Sequence, residues 1–337
     1  MSRNVAFSVA LILIVAGTTS TGVGAQAPAP AKAAPGAPKG AVPRTADGHP
    51  SLDGVWSFAT TTPFERPADL ADKEFLTPKE AAEYAKKVVA ERDKDKRPPK
   101  GVADVESAYN DFWWEQGTTP VGTFRTSLVI DPKNGRVPAL TAEGQKRGAI
   151  AGANWLGAPN GPEDRSLAER CLMGFNAGPP MVPSAYNNNV HIFQSPTQIA
   201  FLNEMIHNTR IVPVDGRPHL PGSVRLWAGD PRGRWEGDTF VIESTNFQGS
   251  GTGSIAVREA DGLKLHLVER FTRTSPDTLV YEYTINDPST WVQPWTVQIP
   301  MTRSSERMFE YACHEGNHAM MNMLSAARAQ EKKQEKK

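Results

Sequence analysis

The chain has 337 residues with 37 basic and 37 acidic side chains, a balance that excludes the strong positive field by which nucleic acid or an anionic membrane surface is recruited. Thirteen phenylalanines and eight tryptophans can fill a sizeable core, while 28 prolines and 28 glycines favour many turns over long helices.

The first 25 residues read as a cleavable signal peptide. Arg3 supplies the positive start, Val5 to Ala16 the apolar stretch, and Val23-Gly24-Ala25 a peptidase site. That stretch falls short of the roughly 20 residues needed to cross a bilayer, and no later segment is long and apolar enough. The expectation is an exported protein, periplasmic or secreted, with no membrane insertion. The only cysteines, Cys171 and Cys313, are then expected to form a disulfide in an oxidising compartment, the alternative being two buried thiols. Closing so long a loop stabilises by about 4–5 kcal/mol on chain-entropy grounds.

Residues 26–44 are almost wholly Ala, Pro, Gly and Lys and read as a linker. Residues 45–125 form an N-terminal segment containing one clear helix. There Thr77 is the N-cap, Pro78 opens the first turn, Glu80 completes a capping box, and Ala81, Tyr84, Ala85, Val88 and Val89 repeat at helical spacing. Phe112-Trp113-Trp114 then places three aromatics in a row, read as core or lid packing rather than a ligand platform.

From residue 126 the apolar period becomes two, and residues 126–328 read as an antiparallel β domain. A hairpin is predicted over 126–140 about the turn Asp131 to Gly135, with short helices near 142–152 and 164–170. Strands follow at 190–195, 198–203, 206–214, 239–246, 263–273, 278–286, 293–303 and 308–313. A short helix is placed at 318–328, and residues 329–337 are a charged tail expected to be disordered. So many antiparallel strands in chain order imply a mainly β fold, an up-and-down barrel or a sandwich.

Three groups of residues carry candidate chemistry. His314-Glu315-Gly316-Asn317-His318 is a literal H-E-x-x-H; on a helix, His314 and His318 would face one metal ion and Glu315 would activate its water. Gly316 and Asn317 are poor helix formers, so this metal-dependent hydrolase is the alternative and not the favoured reading. Glu204, His207 and Arg210, followed by Asp215, Arg217 and His219, could bind a carboxylate, supply an acid/base pair, or form ion pairs that close a turn. Glu269 shares the apolar face of its strand with Leu263, Leu265, Leu267 and Phe271, so it must be paired or protonated there; a general acid or base and an ion pair with Arg210 are the two readings. No phosphate-binding loop or nucleophile elbow occurs, and no cofactor is implied.

Several segments resemble a family of secreted, largely uncharacterised bacterial proteins. They are Asp47-Gly48-His49-Pro50 with Gly54-Val55-Trp56, Arg170-Cys171, Gly178-Pro179-Pro180, and Asn203-Glu204-Met205-Ile206-His207. Further along come Asp215 to Pro221, Gly233 to Thr239, Leu267 to Phe271, and the motif Glu310-Tyr311-Ala312-Cys313-His314-Glu315-Gly316-Asn317. The resemblance implies export and a shared fold, and brings no activity. Gly54-Val55-Trp56 with the strand meander also resembles the lipocalin-like barrels, from which the helical insertion after that motif departs. The resulting expectation is an antiparallel lipocalin-like β-barrel with an N-terminal helical segment and a small-molecule pocket at one end. Its catalytic candidates are Glu269, His207 and Glu204, and its ligand-binding candidates Tyr186, Arg210 and His314. A purely structural envelope protein is the third class.

Overall fold

The computed structural model describes residues 40–93, 95–96, 114–249 and 253–335. The signal peptide, most of the linker, and Phe112-Trp113 therefore lie outside the described residues. One antiparallel sheet of ten strands dominates the rest. In chain order these are β1 (Gly54–Ser57), β2 (Val129–Asp131), β3 (Asn189–Gln194), β4 (Gln198–Asn203), β5 (Thr209–Pro213) and β6 (Asp230–Glu236). They continue with β7 (Thr239–Thr245), β8 (His266–Ser275), β9 (Thr278–Asn286) and β10 (Trp295–Ser304). The strand order is β5-β4-β3-β1-β10-β9-β8-β7-β6, with β2 paired to the start of β10.

Alternation explains why the long meander forms. β8, β9 and β10 each turn every second side chain inward, and their registers align these into rows such as Phe271–Tyr281–Ile299 and Glu269–Tyr283–Val297. The rows bury Trp295, Tyr281, Tyr283, Phe240 and Phe271 completely. At about 25 cal/mol per Å² of apolar surface, each such ring contributes several kcal/mol of burial.

The sheet does not close into the barrel that the strand count suggests. Its edge strands β5 and β6 share no ladder, and each carries a proline that cannot donate, Pro213 and Pro231. They meet instead through side chains at Gly233. A Cβ there would stand 2.9 Å from Val212 Cγ1 and 2.6 Å from Phe240 Cζ, so only glycine permits the approach.

Other expectations are corrected in detail. The 126–140 hairpin fails because β2 pairs with β10, and Val137 N–H donates to the Glu65 carboxylate at 2.7 Å, not to a neighbouring strand. The strand expected over 206–214 begins only at Thr209, after a short 3-10 turn at Met205–His207. The strand placed at 263–273 begins at His266, because Asp261 O ties residues 264 and 265 into a turn and leaves Leu263 exposed. Residues 308–313 form no strand, and β6 was not anticipated. Residues 164–170 contain turns, with a 3-10 turn at Pro162–Asp164 before them.

Among the described residues, three α-helices flank the sheet. α1 (Pro78–Arg92) starts with the expected capping box, Thr77 and Glu80 each accepting from the other's backbone N–H. α2 (Ala142–Leu156) packs so closely at Gly144 that a Cβ would lie 2.5 Å from Thr290 O. α3 (Ala319–Gln334) runs through residues expected to be disordered. It is anchored by Arg328, which donates to Asn160 O and Pro159 O, and by the buried Ala327. Upstream of it the Cys171–Cys313 disulfide is present, its Cα atoms 5.7 Å apart. No helix among the described residues is long and apolar enough to cross a membrane.

Candidate functional site

Glu269 and Arg210 meet inside the curled sheet. β8 turns Glu269 inward, and β5 turns Arg210 and Val212 inward from the opposite edge. The guanidinium grips the carboxylate with both terminal nitrogens, Nη2 to Oε1 at 2.9 Å, and lies 5.3 Å over the Phe201 ring. The Tyr281 hydroxyl donates to the same Oε1 at 2.7 Å and accepts from Met181 N–H at 3.1 Å, tying the pair to the loop over this end of the sheet. The Tyr283 hydroxyl is buried beside them without a hydrogen-bond partner. Burial, then the Glu269 charge, holds both phenols well above their ordinary pKa. The Glu269 side chain is fully buried and its carboxylate accepts from three donors, two of them on Arg210. This geometry is that of the ion pair.

Glu204, His207 and Tyr186 gather elsewhere, about a small apolar cluster of Ala177, Met205 and Ile206 on which Tyr186, Tyr311 and Cys313 also pack. Buried Glu204 accepts from Asn189 Nδ2 at 2.8 Å and, more weakly, from Phe309 N–H at 3.4 Å. Burial first, and the Glu204 charge second, push the Glu115 carboxyl up. Ile206 and His207 both hold positive φ, 56° and 42°, a strained turn that leaves His207 exposed with Nδ1 3.3 Å from Tyr311 O. Arg210 therefore belongs with Glu269 and not with Glu204 and His207.

The H-E-x-x-H segment is not helical. Residues 313–316 form turns, Gly316 has φ +62°, and His318 is the N-cap of α3, so the one-face argument for His314 and His318 does not hold. Both histidines are exposed. Among the described residues no three His, Cys, Asp or Glu side chains are arranged to hold a metal ion.

Two further arrangements were not foreseen. His219 Nδ1 lies 2.9 Å from Asp230 Oδ2, and the buried Asp230 also accepts from Leu220 N–H and Arg232, pinning the loop before β6. Asp230 opens β6, the strand whose charged, Pro- and Gly-containing sequence hid it. The second is an open cleft of about 390 Å³. Phe64, Val137, Leu140, Val182, Ile255 and Trp291 supply its apolar walls, and Glu65, Arg258 and Glu259 its polar groups. Its frame is well braced. Arg147 on α2 donates to Glu259 O, Ser289 O and Thr290 Oγ1, and buried Asp287 accepts from Ser289, from Asp261 N–H and from the Thr290 hydroxyl. None of the candidate residues Tyr186, Glu204, His207, Arg210, Glu269 or His314 lines it.

Comparison with family models, with curated proteins and with solved structures finds no match for this chain.

Proposed function

We propose that the chain is an exported binding protein that takes a small molecule in the cleft walled by Phe64, Leu140, Ile255 and Trp291. The observation that carries this reading is the cleft itself: about 390 Å³, open to solvent, mostly apolar, with a few polar groups. Those are the attributes of small-molecule sites, which occupy some ~300–1,000 Å³. The disulfide supports export. Large side chains occupy the interior in which a lipocalin holds its ligand, so the ligand belongs at the cleft. The Glu269–Arg210 pair is assigned a structural role.

The test is binding of small aromatic compounds, followed by native mass spectrometry and thermal shift, in the wild type and in Ile255→Trp. Ile255 is exposed on the cleft wall, so the larger ring narrows the opening without entering the core. Binding to the wild type with about tenfold weakening in the variant is expected, since obstruction forfeits over 1 kcal/mol of apolar contact. Compounds that bind both proteins equally, or neither, remove the proposal.

A further inference from the structure

The polar groups of the cleft differ in what they leave unused. Glu65 spends Oε1 on Val137 N–H at 2.7 Å, and among the described residues its Oε2 has no hydrogen-bond partner. Glu259 is similar: Oε1 accepts from Arg258 Nε at 2.7 Å, and its second oxygen is unengaged among the described residues. Their situations are unequal, however. The Glu259 side chain is only 20% exposed, whereas Arg258 is 72% exposed and projects from the rim. An ion pair of that kind contributes little, because water screens the arginine and its long side chain loses freedom to hold one geometry. A ligand cation inside the cleft can therefore displace Arg258 at small cost. Two carboxylates against one arginine leave the lining with net negative charge, and the half-buried Phe64 adds aromatic surface.

We infer that the cleft selects a small organic cation, an aromatic or aliphatic body carrying a primary ammonium or amidinium group, held between the free oxygens of Glu65 and Glu259. This rests on the cleft being the binding site. The apolar body packs on Phe64, Leu140 and Ile255, and the cationic head replaces Arg258 on Glu259. Discrimination against anions follows from the same two carboxylates, which repel a ligand carboxylate.

Three near-isosteric probes separate charge from shape: 2-phenylethylamine, 2-phenylethanol and 3-phenylpropionate, titrated calorimetrically at pH 7 against the whole chain. The amine is expected to bind about tenfold tighter than the alcohol, as one charge-assisted hydrogen bond provides, with the carboxylate weakest. Glu259→Gln should bring the amine down to the level of the alcohol, and Arg258→Ala should strengthen amine binding a few-fold by removing its competitor. Equal binding of all three probes, weakened about tenfold by Ile255→Trp, overturns the cation inference and leaves the cleft reading standing. Tightest binding of the carboxylate, lost in Arg258→Ala, does the same and assigns the polarity to the arginine. Binding by none of the three overturns both.

Discussion

Burying Glu269 is tolerable only because Arg210 and Tyr281 complete its coordination, and single changes there are unequal in cost. Arg210→Met strands a carboxylate at a fully buried position, and unfolding in urea should show a loss of about 3–5 kcal/mol. Arg210→Met combined with Glu269→Leu removes both charges and should recover most of that loss. A double variant no more stable than Arg210→Met would mean the pair itself drives folding. The pairing was legible in outline, since Glu269 falls on an apolar face and needs a partner. Its third donor was not, because Tyr281 looks in sequence like any inward aromatic of its strand.

Among the elements, α1 was the most readable, because its start is written in side chains that cap it locally. The same cap carries a pH dependence. The Lys73 ammonium, then the Thr77 backbone and hydroxyl, bring the Glu80 carboxyl down from its ordinary 4.5 to about 2. Since the folded state favours the charged form, this stabilisation is whole above pH 4.5 and is lost as the pH falls toward 2. Amide protection factors in the first turn of α1 should drop over that interval in the wild type and stay flat in Glu80→Gln. The same drop in both proteins would place the transition elsewhere. β6 shows the opposite case. Its inward positions are Pro231, Gly233 and Trp235, so two of three carry no strong apolar signal, and its outward side chains include Arg232 and Arg234. Residues 308–313 are the reverse case: their alternation is real, yet Phe309 is 77% exposed and no strand pairs with them among the described residues.

Across the whole molecule, the disulfide joins positions 142 residues apart and fastens the C-terminal segment to the loop at Cys171. Chain-entropy reasoning gives about 5 kcal/mol for a loop of that length. The variant with Cys171→Ser and Cys313→Ser should melt markedly earlier and expose residues 305–335 to limited proteolysis, because non-covalent contacts at Phe309, Tyr311, Asn317, Ala327 and Arg328 then hold them in place of the bridge. Unchanged melting and resistance to cleavage would refute this. The bridge followed from two cysteines and an inferred compartment. The cleft could not be anticipated, because its walls come from five separate stretches, near 64, 137–140, 182, 255–259 and 291. Only tertiary packing brings those together, and no local periodicity records it.

The seam where β5 passes β6 has a mechanical meaning. Elsewhere, a slip of one residue would turn every inward side chain outward and break paired amides. At the seam β5 and β6 share no ladder, and Val212 packs against the bare backbone of Gly233. The sheet is thus a clasp, with slack at one joint, and differences in length between residues 213 and 230 can be absorbed there without disturbing the rows that bury Glu269.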